Sequence, residues 1–302
     1  MPDPHLPVFR ARPALTGGFR LAEGPLWDAP RERLLWVDVE EGRVFEGRMR
    51  PDGTRVEVVR GHGFAGTVGA VACADDGRLL VAGRHALTVL TAAGTRLPGP
   101  RVLPPGTPGR LNDGGCDPAG RFLAGSTAPD GVEGRDILAR IGDDGAVALL
   151  DTDLTCSNGP AWSADGRRMY SVDTVPGVVR VRAYDPADGT VGERRDFLRI
   201  TGGLPDGLCV DEDGNVWVAV WGAGEVRCYS PAAEHLATVR VPAARTSSVA
   251  MAGPGLDTMV ITAAGPDGGV FTARTGARGV PLAPWNGRGR PRTRTPDATV
   301  DP

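Results

Sequence analysis

Short apolar runs broken by turn residues recur along the whole chain, and long apolar stripes at helical spacing are absent. Runs of this length bounded by DG, PG, GG or DP are the signature of many short strands. Six segments share one shape: a short apolar strand, a turn built on Asp or Gly, then a strongly apolar second strand. They are PLWDAPRERLLWVDV (25–39), VACADDGRLLVAG (71–83), GCDPAGRFLAGS (115–126), AWSADGRRMYSVD (161–173), CVDEDGNVWVAV (209–220) and VAMAGPGLDTMVITAA (249–264). Aligned on the second strand at Leu35, Leu80, Phe122, Met169, Trp217 and Met259, they recur at intervals of 45, 42, 47, 48 and 42 residues. That period holds four short strands, which is one propeller blade. RVFEGRM, TRVEVVR, ALTVLT, VVRVRAYD and EVRCYS supply outer strands. The expected architecture is an all-β, six-bladed β-propeller with a central channel, one domain over 1–302. Residues after about 275, together with the N-terminal stretch, are expected to complete one blade, and the chain from about 287 reads as a flexible tail.

The register exposes a second pattern. One polar residue stands five positions before the first turn residue in four repeats: Glu23 before Asp28, Asn112 before Asp117, Asn158 before Ser163 and Asp206 before Asp211. The same count gives Gly69 in the second repeat, and alignment through Met259 gives Ser248 in the sixth. In a propeller these positions begin the innermost strands, so they converge on one mouth of the channel. Taken singly, each Asn or Asp reads as a turn or cap residue. Their shared register instead puts two carboxylates and two amides around one point. Like charges in a narrow channel repel, and partial burial makes ionisation harder still. Either the acids share a proton or a cation lies between them, and an oxygen-only donor set suits a hard divalent ion.

Composition narrows the function classes. The 302 residues carry 34 Lys+Arg against 37 Asp+Glu, a net charge of −3, which gives no support for wrapping nucleic acid. RGRPRTRT at 288–295 is the one basic stretch, in a Gly/Pro-rich context that reads as a solvated tail. No run reaches the ~18 apolar residues of a membrane span, and MPDPHLPVFRARP lacks a secretory pattern. The five cysteines form no CxxC; three of them, in predicted strands beside turns, read as small buried hydrophobes, and the set points to a reducing cytoplasm rather than a disulfide framework. His5 and His235 fall in loops, while His62 and His85 read as surface or packing residues. There is no GxSxG elbow, Ser157 has no aligned histidine, and GDDG and GPGLD open no helix, so serine-nucleophile and nucleotide sites are unsupported.

AEGPLWDAPRERLLWVDVEEGRVF, GRLNDGGCDPAGRFLAGS, CSNGPAWSADGRRMYSVD, GLPDGLCVDEDGNVWVAV and RTSSVAMAGPGLDTMVIT, in this order, resemble the SMP-30/gluconolactonase/luciferin-regenerating (regucalcin-like) family over about residues 20–265. The resemblance implies one divalent cation held by Glu23, Asn158 and Asp206, with Ca2+ ahead of Mn2+, Zn2+, Fe2+ or Mg2+. It implies that Asn112 contacts substrate or a water on the ion, and that Arg110 orients substrate oxygens. The implied activity is hydrolysis of a small, sugar-like lactone to its hydroxy acid, with Asp206 or a hydroxide held by the ion as base. The alternatives are other metal-dependent chemistry in the same channel (an ester or organophosphate hydrolase, or a biosynthetic cyclase or isomerase) and a non-catalytic calcium-binding module. The expected partner is a small-molecule substrate, with no nucleic acid and no membrane, and the expected assembly is a monomer or weak homodimer. Two departures bear on sugar preference: STAPD offers only Asp130 where some lactonases carry a glutamate, and GTVGAVACADD offers Thr67 and Gly69 in place of a strong polar anchor.

Overall fold

The computed structural model describes residues 6–142 and 144–287. Two strands open the chain, β1 (Val8–Arg10) and β2 (Arg12–Thr16). Blade 1 comprises β3 (Ala22–Asp28), β4 (Arg33–Asp38), β5 (Arg43–Met49) and β6 (Val56–Gly63). Blade 2 comprises β7 (Val68–Cys73), β8 (Leu79–Gly83), β9 (Ala86–Leu90) and β10 (Arg96–Arg101). Blade 3 follows with β11 (Arg110–Cys116), β12 (Phe122–Thr127), β13 (Asp136–Ile141) and β14 (Val147–Leu154), and blade 4 with β15 (Ser157–Trp162), β16 (Arg168–Asp173), β17 (Val178–Ala183) and β18 (Arg195–Arg199). Blade 5 holds β19 (Leu204–Val210), β20 (Val216–Trp221), β21 (Glu225–Tyr229) and β22 (His235–Arg240), and blade 6 holds β23 (Thr246–Ala252), β24 (Thr258–Ala263) and β25 (Gly269–Ala273). The strands named for each blade pair antiparallel from the innermost outward, and the innermost strands β3, β7, β11, β15, β19 and β23 touch in a closed ring. The structure is thus the six-bladed propeller that the repeat predicts.

The strong apolarity of each second strand has a packing cause. Side chains alternate across a strand, and a blade buries both faces against its neighbours. In RLLWVD, Leu34 and Trp36 pack against blade 6 with Val260 and Val270, whereas Leu35 and Val37 pack against blade 2 with Val71 and Val81. Six such cores form, one at each junction between adjacent blades. The turn aspartates serve the same hairpins. Asp117 accepts the N–H groups of Ala119 and Arg121 at 2.9 and 2.8 Å, and Asp211 accepts those of Asp213 and Asn215 at 3.1 and 2.8 Å.

Ring closure departs from the sequence expectation. The N-terminal strand β2 alone completes blade 6, pairing antiparallel with β25, and β1 adds a fifth, parallel strand to blade 5 beside β22. The chain after 275 completes no blade. It crosses the far mouth of the channel instead: Glu212 N–H donates to Arg278 O, Gly279 N–H to Leu256 O, Trp285 N–H to Cys73 O and Asn286 N–H to Gly120 O, at 2.7–2.9 Å. This strap therefore runs from blades 5 and 6 to blades 2 and 3. Pro281 and Pro284 lack the N–H that a ladder strand needs, which suits a crossing segment better than a blade edge. The basic stretch at 288–295, the expected tail and His5 lie outside the described residues.

Candidate functional site

All six innermost strands carry a one-residue bulge near the mouth, between Glu23 and Leu26, Val68 and Ala70, Leu111 and Gly114, Asn158 and Ala161, Pro205 and Leu208, and Thr246 and Ser248. A bulge interrupts pairing and re-aims side chains, here at the positions the register singled out. In blades 1 and 4 the residue after the polar one is Gly24 or Gly159, with φ of +55° and +70°, conformations that side chains rarely adopt, although the following Gly–Pro bond is cis only in NGP. Two further carboxylates steady those turns. Asp38 accepts the N–H groups of Arg20 and Leu21 at 3.0 and 3.2 Å, and Asp173 those of Thr155 and Cys156 at 2.9 and 3.2 Å. Each grips the backbone just ahead of its blade's ring residue.

Three of the sequence-selected residues form one hydrogen-bonded row. Arg110 donates to Asn112 Oδ1 at 2.6 Å and to Leu111 O at 3.1 Å. Asn112 Nδ2 donates to Asn158 Oδ1 at 2.9 Å and to Ser157 O at 3.0 Å, and Asn158 Nδ2 donates to Thr174 Oγ1 at 2.8 Å. The row spans blades 3 and 4 and leaves Asn158 Oδ1 one lone pair.

Glu23 and Asp206 are buried, with 9 % and 6 % exposure, and their charges interact with each other and with a residue the sequence reading passed over, Asp113. Burial, then Asp206 and Asp113, push the Glu23 carboxyl well above the usual carboxylate range, against the pull of the Gly24 N–H and Arg110. Asp206 is likewise raised by burial and by Asp113, with Arg110 and the Gly207 N–H opposing. Burial raises Asp113 to about 6, although its two oxygens accept the N–H groups of Gly114 (2.7 Å) and Gly159 (3.0 Å). Among the described residues none of the three carboxylates has a cation within 4.0 Å. Asp113 escaped the register because the blade 3 bulge contains both Asn112 and Asp113. Strict alternation sends neighbours to opposite faces, yet both reach the adjacent strand β15. The NDGG run was the available signal, since paired polar residues before glycines mark a bulge.

Gly69 and Ser248 complete the ring without a charge. Asp130, the substitute for a lactonase glutamate, instead pairs with Arg135 at 2.7 Å on the surface. His62 bonds Glu46 and His85 bonds the Gly109 carbonyl, both away from the ring. Beyond the ring the channel widens into a cavity of about 650 Å3, lined by Leu26, Trp162, Leu208, Met251 and the strap, with Asp113 at its upper end.

The titration of Asp113 yields one expected result. Its folded pKa of about 6 exceeds the unfolded value of about 3.9, so the folded state holds the proton more tightly across pH 4–6 and loses stability as pH rises through that window. Asp113→Asn removes the ionisation. In the presence of chelator the stability difference between variant and wild type should move toward the variant by roughly 2–3 kcal/mol between pH 4 and pH 7. Denaturant titrations at the two pH values measure it, and a pH-independent difference would contradict the assignment.

The fold and site define a six-bladed propeller with buried acids and amides gathered at one channel mouth. The chain belongs to the SMP-30/Gluconolactonase/LRE-like family, whose model matches residues 21–265. It is 36 % identical over 252 residues to pentonolactonase XacC of Haloferax volcanii, covering 82 % of this chain and 83 % of the relative, and 30 % identical over 257 residues to regucalcin of Xenopus laevis, covering 82 % and 84 %. The structure of a luciferin-regenerating enzyme superposes with a TM-score of 0.82 at 26 % identity, covering 91 % of this chain and 99 % of that one. Among the described residues no helix is long and apolar enough to cross a membrane.

Proposed function

We propose that the protein is a divalent-metal-dependent lactonase that opens a small, sugar-like lactone to its hydroxy acid. Family membership supports the hydrolase class, and the related pentonolactonase supports the substrate class. The single observation that carries the metal dependence is the group of buried carboxylates, Glu23, Asp113 and Asp206, interacting at the mouth without an ion-pairing cation. Uncompensated buried charge is unfavourable, and a cation offsets it. Among the described residues no three His, Cys, Asp or Glu side chains stand together as a metal site. The proposed ligand set is of another kind, two carboxylates of Glu23 and Asp206 and the free lone pair of Asn158 Oδ1. An all-oxygen set favours Ca2+. Bound there, such an ion would polarise the lactone carbonyl and stabilise negative charge on its oxygen.

The chain's own groups supply the rest. Asp206 would take the proton of the attacking water. Arg110 presents a rigid fork of donors to substrate oxygens, and Asn112 holds that fork through its Oδ1. Asn112 also ties the fork to Asn158, so the substrate-orienting and ligand groups move as one unit. The apolar walls beyond the ring, such as Leu208 and Leu26, keep bulk water from the far side of the reacting carbon.

Protein stripped of metal, then reconstituted separately with Ca2+, Mn2+, Zn2+ and Mg2+, is to be assayed by acid release on sugar lactones, simple esters and phosphotriesters. Lactone hydrolysis should be lost on stripping and restored by at least one ion. Activity that survives chelation defeats the metal reading, and faster turnover of esters or phosphotriesters defeats the lactone reading.

A further inference from the structure

A second pocket opens on the same side of the propeller as the ring, between blades 2 and 3. Its volume is about 460 Å3, and it lies between the loops that lead into β7 and β11 and the loops that leave β8 and β12. Arg84, Arg110, Thr67 and Thr127 supply its polar side chains, and no Asp or Glu lines it. Arg110 joins the pocket to the ring, since one of its nitrogens is fixed on Asn112 and Leu111.

Three groups of the lining, Arg84, Arg110 and Thr67, are left incompletely partnered. Among the described residues neither Arg84 nor Arg110 has a carboxylate within 4.0 Å, although 20 ion pairs engage other basic side chains of the chain. Arg84 reaches only the carbonyls of Gly109 and Pro108, at 3.5 and 3.4 Å, beyond the usual 2.7–3.2 Å range and too long to hold it firmly. Thr67 Oγ1 is buried and has no hydrogen-bond partner at all. A buried hydroxyl left unpaired is unfavourable, and so is a desolvated guanidinium such as that of Arg110, whose pKa burial lowers. One ligand chemistry relieves all three. An oxyanion accepts the forked donors of two guanidinium groups and the proton of a hydroxyl, in the shortest and strongest class of hydrogen bond.

We propose that this pocket binds an oxyanion substituent of the substrate, a carboxylate, sulfonate or phosphate carried away from the lactone carbonyl, with Arg84 and Thr67 as its specificity-determining residues. The substrate is then an acidic sugar lactone rather than a neutral one. This inference rests on the lactonase reading and adds the charge of the substrate to it. It also gives a role to Thr67, where the sequence shows no strong polar anchor.

The test compares kcat/KM for a neutral hexonolactone with the same ring bearing a terminal carboxylate, sulfonate or phosphate. At least one acidic lactone should be preferred by about tenfold or more, as a charge-assisted contact supplies. Whichever of the three gives the largest ratio identifies the group. Arg84→Gln should reduce that ratio about tenfold, and the isosteric Thr67→Val should reduce it severalfold. Arg84 is exposed, so its substitution leaves the cores between the blades intact. A ratio near one in the wild type, or one that neither substitution changes, overturns the inference while leaving the lactonase reading in place. If no lactone of either kind is hydrolysed, the lactonase reading fails and calorimetric titration with inorganic sulfate decides the pocket. Saturable binding that weakens about tenfold in Arg84→Gln upholds the anion subsite, and no saturable binding in the wild type overturns it.

Discussion

Asp206→Ala is expected to lower lactone turnover by three orders of magnitude or more and to strip the divalent ion, with the β fold retained. The size follows from two losses at one residue. A positioned general base contributes about 10²–10⁴ in rate, and removal of a ligand weakens the group that polarises the carbonyl. The isosteric Glu23→Gln should also lose the ion and turnover, through the ligand role alone. Stability provides an independent readout. Both carboxyls are raised by burial and by neighbouring acids, so the folded state holds their protons more tightly than the unfolded chain; this disfavours the fold at pH 7 and fades as pH falls toward the unfolded carboxylate value of about 4. With chelator at pH 7, each variant should therefore melt above the wild type. With saturating Ca2+ the order should reverse, because only the wild type gains binding free energy. Thermal melts with and without chelator, beside metal analysis, measure both effects. Full turnover in either variant after stripping and reconstitution would falsify the ligand assignment, and so would an unchanged melting response to Ca2+.

Removal of residues 6–16 is expected to be the most destabilising truncation of the described chain. β2 pairs with β25 from Arg12↔Thr272 to Thr16↔Gly269, and Ala14 packs into the core between blades 1 and 6 beside Phe19. Without it β25 becomes an open edge and the ring loses the link that fastens its last blade to its first. Several ladder hydrogen bonds at about 1 kcal/mol each, together with the lost packing, should lower the melting temperature by on the order of 10 °C or more. Removal of 278–287 instead releases the strap and uncovers the 650 Å3 cavity, but all six blades keep their four strands. That truncation should melt between the full chain and the β2 deletion. Melting of the β2 deletion within a few degrees of the full chain would sink the closure argument.

The propeller was legible because its cause is local. A blade buries both faces, so its second strand must be apolar throughout, and a tight turn must follow the first, which writes LLWVD, LLVAG and VWVAV into the chain at a near-constant interval. Glu23, Asn112, Asn158 and Asp206 were legible for the same reason, since equal register in a ring means equal height on its axis. Asp113 was not, because a bulge breaks the alternation by which facing is read, and only the folded strand reveals which way the extra residue turns. Nor could the sequence decide which terminus closes blade 6, because β-strand pairing between residues 12–16 and 269–272 is contact over some 250 positions and leaves no local trace. The mouth pocket belongs to the tertiary structure alone. Thr67 and Arg84 come from two separate loops and Arg110 from the start of β11, and the orphaned Thr67 hydroxyl and the absence of a carboxylate beside either arginine exist only once these segments are brought together.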